Sequence, residues 1–282
     1  MTPQTQPFHP HQLLAQVVAT FGGADPRLRE IMQAAVRHLH AFAREVDLTT
    51  DERRAGVLFM TAVGQMSDEV RQEFELLSDT LGLSSLVETS ATPGGGTLQT
   101  LTGPFYAAGS PHRDFGESMI ERDDGAPKAI LRGQVTDVHG TPISGATVDV
   151  WQNAANRLYA VQDPEQPEFN LRGIYSTDEN GRYEIGTIKP VSYPIPSDGP
   201  VGQMLDATGR HPWRAAHIHL LVEADGFVPL TTEVFDEESN YLESDAVFGV
   251  APELILPFEP DGDDSYAAVF NIVLREAKKS FS

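Results

Sequence analysis

The spacing of apolar residues changes at residues 91–96 (ATPGGG), and this change points to an α+β fold. Before this segment, apolar residues recur every three or four positions, which is the period of an amphipathic helix. After it, short apolar or alternating segments are separated by turn residues, which is typical of strands in an antiparallel sandwich. The pattern predicts a helical N-terminal region over residues 1–100 and a mainly antiparallel β-sandwich over residues 101–282.

Capping residues indicate where helices of the first region begin and end. Asp25 and Pro26 suit the cap and first position of one helix. Its apolar stripe consists of Leu28, Ile31, Ala35, Leu39 and Phe42. Thr49 and Glu52 have the spacing of a capping box. A second stripe consists of Val70, Phe74, Leu77 and Leu81, with Gly82 placed to end it. Such helices either form a core together or present an interface to a partner.

Strand character is concentrated in six segments of the second region. Turn signals at residues 139–140 (HG) and 178–181 (DENG) separate some of them. The predicted strands cover residues 129–138, 145–151, 183–185, 214–222, 229–235 and 269–274.

The composition limits the possible partners and metal ligands. A formal net charge of −21 argues against binding to nucleic acid or to an anionic membrane surface, because both require a basic face. With no cysteine, any metal must be held by nitrogen and oxygen donors. Residues 1–7 show no signal-peptide pattern and no apolar run is long enough to span a bilayer, so the expected location is cytoplasmic.

The pair His217 and His219 is the first candidate for a metal site. Both lie in a predicted strand, where side chains two apart point to the same face. The similar pair His38 and His40 lies in a predicted helix, where residues two apart diverge. Only the strand pair is therefore expected to close on one ion, unless both are ordinary core histidines.

The spacing leaves the other ligands of such an ion open. A carboxylate from Glu223 or Glu233 would complete a facial triad with the two histidines. Tyr193, in a loop stiffened by proline, and Tyr159 are alternative donors, because phenolate suits Fe(III). Each tyrosine taken alone could also be an ordinary half-buried residue.

Four motifs in fixed order resemble the intradiol ring-cleavage dioxygenases. They are residues 131–151, residues 159–164 (YAVQDP), residues 190–200 (PVSYPIPSDGP) and residues 209–219 (GRHPWRAAHIH). The resemblance covers essentially the whole chain. Residues 193–196, 210–214 and 242–250 (LESDAVFGV) are most similar to the hydroxyquinol-cleaving members.

The resemblance implies one non-haem Fe(III) per chain, held by Tyr159, Tyr193, His217 and His219. It also implies that Tyr193 leaves the metal and accepts a substrate proton, and that Arg214 stabilises negative charge during oxygen attack. The substrates would be O2 and a small aromatic diol or triol. Arg214 precedes His217 by three in the same predicted strand, and pairing with one of the many carboxylates is the alternative role.

Substrate contacts carried over from the family include Asp79, which would accept a hydrogen bond from the third hydroxyl of hydroxyquinol. The implied substrate-binding set is Leu76, Asp79, Leu101, Gly103, Pro104, Phe105, Ile195, Pro196, Arg214 and Val247. The family also implies a homodimer through the N-terminal helices, often around bound lipid. One departure is Glu233, where catechol-cleaving relatives have Gln and hydroxyquinol-cleaving ones often have His.

Three alternatives remain open. The preferred substrate could be catechol or a chlorocatechol. The strand and turn motifs also resemble transthyretin-like sandwich modules that bind or space without catalysis. A different metal, Fe(II) or Zn(II), could be held by the two histidines together with Glu233.

Overall fold

A computed structural model describes residues 12–68, 71–90, 95–262 and 264–277 of the chain. The chain divides into two compact units, with the boundary between residues 62 and 63. The predictions made for residues 1–7, for Val70 and for residues 91–94 concern positions outside the described ranges. In the described part of the chain, no helix is long and apolar enough to cross a bilayer.

Six α-helices are present in the described residues, and capping residues define the starts of two of them. The helices are α1 Leu13–Ala19, α2 Pro26–Glu45, α3 Thr50–Met66, α4 Glu73–Thr80, α5 Leu83–Ser90 and α6 Pro200–Ala207. Asp25 accepts hydrogen bonds from the amides of Arg27 and Leu28, at 2.9 and 3.2 Å. Thr49 and Glu52 form the predicted capping box, in which the Thr49 amide donates to Glu52 at 2.8 Å.

Helix α2 carries both the predicted apolar stripe and the histidine pair that was not expected to bind metal. Leu28, Ile31, Leu39 and Phe42 are each about half exposed or more. His38 and His40 lie in the same helix, as predicted, so their side chains diverge.

Within the described ranges, the strands form two five-stranded sheets and one short two-stranded ribbon. Their bounds are β1 Lys128–Asp137, β2 Thr147–Trp151, β3 Arg172–Ser176, β4 Arg182–Ile188, β5 Tyr193–Pro194, β6 Trp213–Arg214, β7 His217–Glu223, β8 Leu230–Asp236, β9 Ile255–Leu256, β10 Glu259–Pro260, β11 Ser265–Val269 and β12 Ile272–Leu274. The first sheet has the order β10-β11-β1-β12, with β4 paired to β1; the second has the order β3-β2-β7-β8-β9; β5 pairs with β6. Most pairings are antiparallel, the exceptions being β1 with β11 and β12, and β8 with β9.

Strand β7 contributes one face to the core and the other face to the candidate site. Ile218, Leu220 and Val222 are fully buried in the main apolar cluster of the chain. His217 and His219 alternate with them and therefore lie on the opposite face of the second sheet. The apolar residues fix the register of β7, because a shift by one residue would turn them away from the core and toward the opposite face of the sheet.

Two segments predicted as single strands are interrupted. Residues 269–274 divide into β11 and β12 at Phe270, whose carbonyl approaches Gly133 so closely that a Cβ there would lie 1.7 Å away. Residues 214–222 divide at Ala215 and Ala216, whose amides donate to side chains, Asp245 at 3.0 Å and Ser239 at 2.9 Å. An amide that donates to a side chain cannot also donate to a neighbouring strand, so the strand is interrupted there.

Candidate metal centre and adjacent cavity

Four residues form a row across the second sheet on the face opposite the core. Arg172 in β3 pairs with Trp151 in β2, and Trp151 pairs with His219 in β7. His219 in turn pairs with Glu233 in β8. All four are at least 98% buried. The Trp151 ring stacks on the His219 ring at a centroid distance of 4.9 Å, and this contact fixes the plane of the imidazole.

The two histidines of β7 direct one nitrogen each toward the same point. His217 Nε2 and His219 Nε2 are 3.1 Å apart. The Nδ1 of His217 lies 2.6 Å from the Ala215 carbonyl, to which it donates, so its Nε2 carries the lone pair. Burial and the nearby Arg214 hold the pKa of both histidines well below the usual value. Both imidazoles are therefore neutral, which is the form that binds a metal.

Two tyrosines close the same point from the other side. The ring centroids of Tyr159 and Tyr193 are 5.3 Å apart, and Tyr193 lies 5.5 Å from His217. Tyr159 Oη is buried and makes no hydrogen bond of normal geometry with the described residues. Burial raises the pKa of both phenols, an effect that Arg214 opposes at Tyr193. A buried hydroxyl without a partner is costly unless something binds it.

The donor set fits a small trivalent cation. Two neutral imidazoles and two phenols, which ionise on binding, would bring two negative charges to the ion. The unpartnered Oη of Tyr159 is the atom that such an ion would satisfy. Local backbone structure places both tyrosines: Tyr159 precedes the 3-10 turn Ala160–Gln162, and Tyr193 in β5 pairs with Arg214 in β6.

Arg214 is buried and contacts His217 and two carboxylates. Its Nη1 lies 2.8 Å from Glu233 Oε1 and 3.1 Å from His217 Nε2, and its Nε donates to Asp245 at 3.2 Å. The prediction that Arg214 and His217 share one strand is wrong, because the chain leaves β6 before β7 begins. The sequence left two alternative roles for Arg214, one at the site and one in pairing with carboxylates. In the structure Arg214 lies at the site and is also paired with carboxylates.

Glu233 lies beside the histidines and offers a second possible ligand set. Its Oε1 is 3.5 Å from His217 Nε2 and 3.6 Å from His219 Nδ1, and its Oε2 is buried without a partner among the described residues. Burial raises the pKa of this carboxyl, and Arg214 opposes that shift. Glu223, at the exposed end of β7, does not join the cluster.

A narrow cavity opens next to these side chains and brings together nine of the ten predicted substrate-binding residues. It is lined by Leu76, Asp79, Leu101, Gly103, Pro104, Phe105, Tyr193, Ile195, Arg214 and Val247. Pro196, the tenth, lines an adjacent apolar cavity of about 190 Å³, which shares Leu76, Pro104 and Phe105 with the first. Phe105 also stacks on Tyr159 at 4.9 Å, so the cavity and the cluster of histidines and tyrosines have a common wall.

Helix α4 presents Leu76 and Asp79 to the cavity because both of its ends are anchored. The fully buried Glu73 accepts a hydrogen bond from the Val201 amide, in the first turn of α6, at 3.1 Å. At the other end, Arg210 donates to the Thr80 carbonyl at 2.7 Å. Asp79 is only 4% exposed.

Three residues that contact the site carried no signal in the spacing of the sequence. Trp151 and Arg172 support the site from neighbouring strands, and Arg172 donates to the Phe105 carbonyl. Asp245 contacts Arg214 from a turn. Only the motif over residues 242–250 pointed to Asp245, and that motif gave no role for the carboxylate.

The ionisation of Asp79 yields a prediction about stability. Burial raises the pKa of Asp79 to about 6 from 3.8, and a hydrogen bond with Ser84 opposes the shift. The folded protein therefore binds this proton more tightly than the unfolded chain. Stability is lost as the pH rises from about 4 through about 6, by an amount on the order of 1–3 kcal/mol.

Asp79→Asn should raise the free energy of unfolding at pH 7.5, and this advantage should shrink toward pH 4.5. Urea unfolding at both pH values, at equal metal content, measures the difference. The exposed Asp206→Asn in α6 is the control and should show little change. A variant less stable than the parent at pH 7.5 would contradict the prediction.

Comparison with known proteins identifies the family. A model described as "Catechol dioxygenase N terminus" matches residues 25–94, and one described as "Dioxygenase" matches residues 101–276. The 6-chlorohydroxyquinol 1,2-dioxygenase of Cupriavidus pinatubonensis is 44% identical over 272 residues, which is 95% of this chain and 98% of that protein.

Solved structures agree with these sequence matches. The crystal structure of hydroxyquinol 1,2-dioxygenase from Pseudomonas putida DLL-E4 has a TM-score of 0.89 and 44% identity, and covers 95% of this chain and 98% of that chain. The 3-chlorocatechol 1,2-dioxygenase of Rhodococcus opacus 1CP has a TM-score of 0.80 and 29% identity, and covers 89% of this chain and 99% of that chain. The chain therefore belongs to the family of intradiol ring-cleavage dioxygenases.

Proposed function

We propose that this protein is an Fe(III)-dependent hydroxyquinol 1,2-dioxygenase. It uses O2 to cleave hydroxyquinol between its adjacent hydroxyls, giving 3-hydroxymuconate, which tautomerises to maleylacetate. The observation that carries the choice of substrate is the buried Asp79, the one carboxyl group among the described residues around the cavity. The 44% identity to enzymes named for hydroxyquinols supports the same choice.

Tyr159, Tyr193, His217 and His219 are the proposed iron ligands, one iron per chain. Two phenolates and two neutral imidazoles reduce the charge of Fe(III) to +1, which favours an anionic diol as a further ligand. When bound, Fe(III) supplies the electronic coupling between the ring and O2 that a closed-shell diol lacks. The protein supplies geometry, charge and proton transfer.

Tyr193 and Arg214 are the proposed catalytic residues. Both line the cavity, and they are paired across the β5–β6 ribbon. As a phenolate, Tyr193 accepts a proton from a substrate hydroxyl at its Oη. Arg214 is a fixed cation beside the cavity, and it stabilises negative charge that develops on the ring during oxygen attack.

Asp79 recognises the third hydroxyl of the substrate in this proposal. The cavity wall is otherwise largely apolar, with Leu76, Leu101, Ile195 and Val247 around it. A diol without the third hydroxyl leaves the buried Asp79 carboxyl with no partner beyond Ser84, and this costs binding energy. The same apolar wall would accept the ring of catechol or a chlorocatechol, and this is the competing assignment.

The N-terminal helices of residues 1–100 are proposed to form a homodimer, with lipid as a further candidate at the interface. The support is the apolar face of α2, where Leu28, Ile31, Leu39 and Phe42 are exposed. Apolar surface of this extent is expected to be covered by a partner. Sedimentation velocity at micromolar concentration should give the mass of a dimer, and a monomer alone would overturn this assignment.

Removing a proposed ligand should remove the metal. Tyr159→Phe should lose most of the iron and the visible phenolate-to-iron absorption, because the Tyr159 oxygen is a direct donor. Tyr183→Phe is the matched control: Tyr183 is equally buried, but its hydroxyl donates to the Phe270 carbonyl at 2.7 Å, in the first sheet.

The Tyr183→Phe variant should keep its iron and lose about 1 kcal/mol of stability with the hydrogen bond. Metal analysis of both purified variants measures the outcome. Full iron and unchanged colour in Tyr159→Phe would exclude Tyr159 as a ligand.

Substrate preference tests the role of Asp79. Asp79→Ala should lower the ratio of kcat/KM for hydroxyquinol to kcat/KM for catechol by about tenfold or more, which corresponds to about 1.4 kcal/mol. Oxygen uptake with each substrate provides the ratio, and Asp206→Asn again serves as control. An unchanged ratio would show that Asp79 does not select the third hydroxyl.

A further inference from the structure

The carboxylate of Asp245 joins three parts of the site. Its Oδ1 accepts hydrogen bonds from Arg214 Nε at 3.2 Å and from the Ala215 amide at 3.0 Å. Its Oδ2 accepts from the Gly249 amide at 2.9 Å and from Arg214 Nη2 at 3.4 Å. The side chain is 4% exposed. One carboxylate therefore holds the guanidinium, the segment that leads into β7, and its own turn.

The guanidinium of Arg214 is held on its other sides as well. Glu233 Oε1 accepts from Nη1 at 2.8 Å. A Cβ on Gly249 would lie only 2.6 Å from Nη2 of Arg214. The turn therefore approaches the guanidinium most closely at Gly249, which has no side chain. Asp245 holds the Nε and Nη2 edge and Glu233 holds Nη1, which leaves Nη1 facing His217 Nε2 at 3.1 Å.

The turn that Asp245 begins also forms part of the cavity wall. Val247 lines the cavity, and its carbonyl accepts a hydrogen bond from Ser85 at 2.8 Å. The preceding amide, of Ala246, donates to the Trp213 carbonyl at 3.0 Å. A change at the carboxylate would therefore act on the cation and on the adjoining wall together.

We propose that Asp245 is a positioning residue, which sets the orientation of Arg214 relative to the reacting ring and to Val247. Without the hydrogen bonds from Nε and Nη2 to Asp245, the guanidinium keeps only its Nη1 contacts, with Glu233 and His217, and can rotate out of place. Groups that act by fixed charge lose effect steeply when they move by about 1 Å, with losses of ~10²-fold. The consequence for turnover rests on the proposed function, whereas the consequence for local order does not.

The kinetic test is a double-mutant cycle between Asp245 and Arg214 in the iron-loaded protein. Asp245→Asn keeps one acceptor oxygen and should lower kcat about tenfold; Asp245→Ala should lower it ~10²-fold, with iron retained in both. In an Arg214→Gln background, Asp245→Asn should change kcat less than about twofold, because the group it positions is gone. The exposed Glu243→Gln, two residues earlier with the same change of charge, should leave kcat unchanged.

Amide hydrogen exchange provides the readout that is independent of activity. In Asp245→Asn the amides of Ala215 and Gly249 should exchange at least about tenfold faster, while the amides of β1 stay protected. Independent, multiplicative effects on kcat in the cycle, or near-normal kcat in Asp245→Asn, would overturn the proposal. If the parent protein consumes no oxygen with any diol, the proposed function fails, and the exchange result still decides whether Asp245 orders this segment.

Discussion

The alternation of side chains along β7 is the constraint on which the rest of the site depends. Ile218, Leu220 and Val222 face the sandwich core, so His217 and His219 must share the other face. Sliding the strand by one residue would turn both imidazoles into the core and the apolar side chains toward the site. The packing that stabilises the fold therefore also orients the two imidazoles, and the segments bearing Tyr159 and Tyr193 need only cover this face.

Charge compensation is the second requirement of the site. Arg214 lies between two buried carboxylates, Glu233 and Asp245, so the three groups together carry a net charge of −1. Burial of unpaired charge is costly, and the paired arrangement reduces that cost. Glu233 is the departure from the implied family pattern that was noted in the sequence. It places a carboxylate within 3.6 Å of both histidines. A neutral side chain at this position would leave Arg214 with one counter-charge, that of Asp245.

Asp79 illustrates how a residue proposed to recognise substrate opposes stability. A carboxyl group that is 4% exposed on α4, with its pKa raised to about 6, destabilises the fold at neutral pH. Anchoring of α4 through Glu73 and Arg210 offsets part of this cost. Residues held in an unfavourable state by the surrounding structure are common where a ligand must be recognised.

Local patterns in the sequence predicted helices α2, α3 and α4 and the shared face of His217 and His219, and they predicted six strand segments that correspond to β1, β2, β4, β7, β8 and β12. Periodicity did not place Tyr159, which lies outside the strands, or Tyr193, which lies in the two-residue strand β5. The sequence offered both only as alternative donors, and the family motif selected them. The break at Ala215 and Ala216 depends on hydrogen bonds from distant side chains, and no local propensity encodes it. The close contact of Gly133 with the Phe270 carbonyl could have been suspected, since glycine inside a strand often marks such an approach.

Resonance Raman spectroscopy of the purified protein, excited in its visible absorption band, tests the central claim most directly. Ligation by Tyr159 and Tyr193 predicts enhanced tyrosinate ring vibrations from a protein with one iron per chain. These vibrations should disappear when the iron is removed. An active protein with one metal per chain and no tyrosinate vibrations would contradict the account, and would favour a site built from His217, His219 and Glu233.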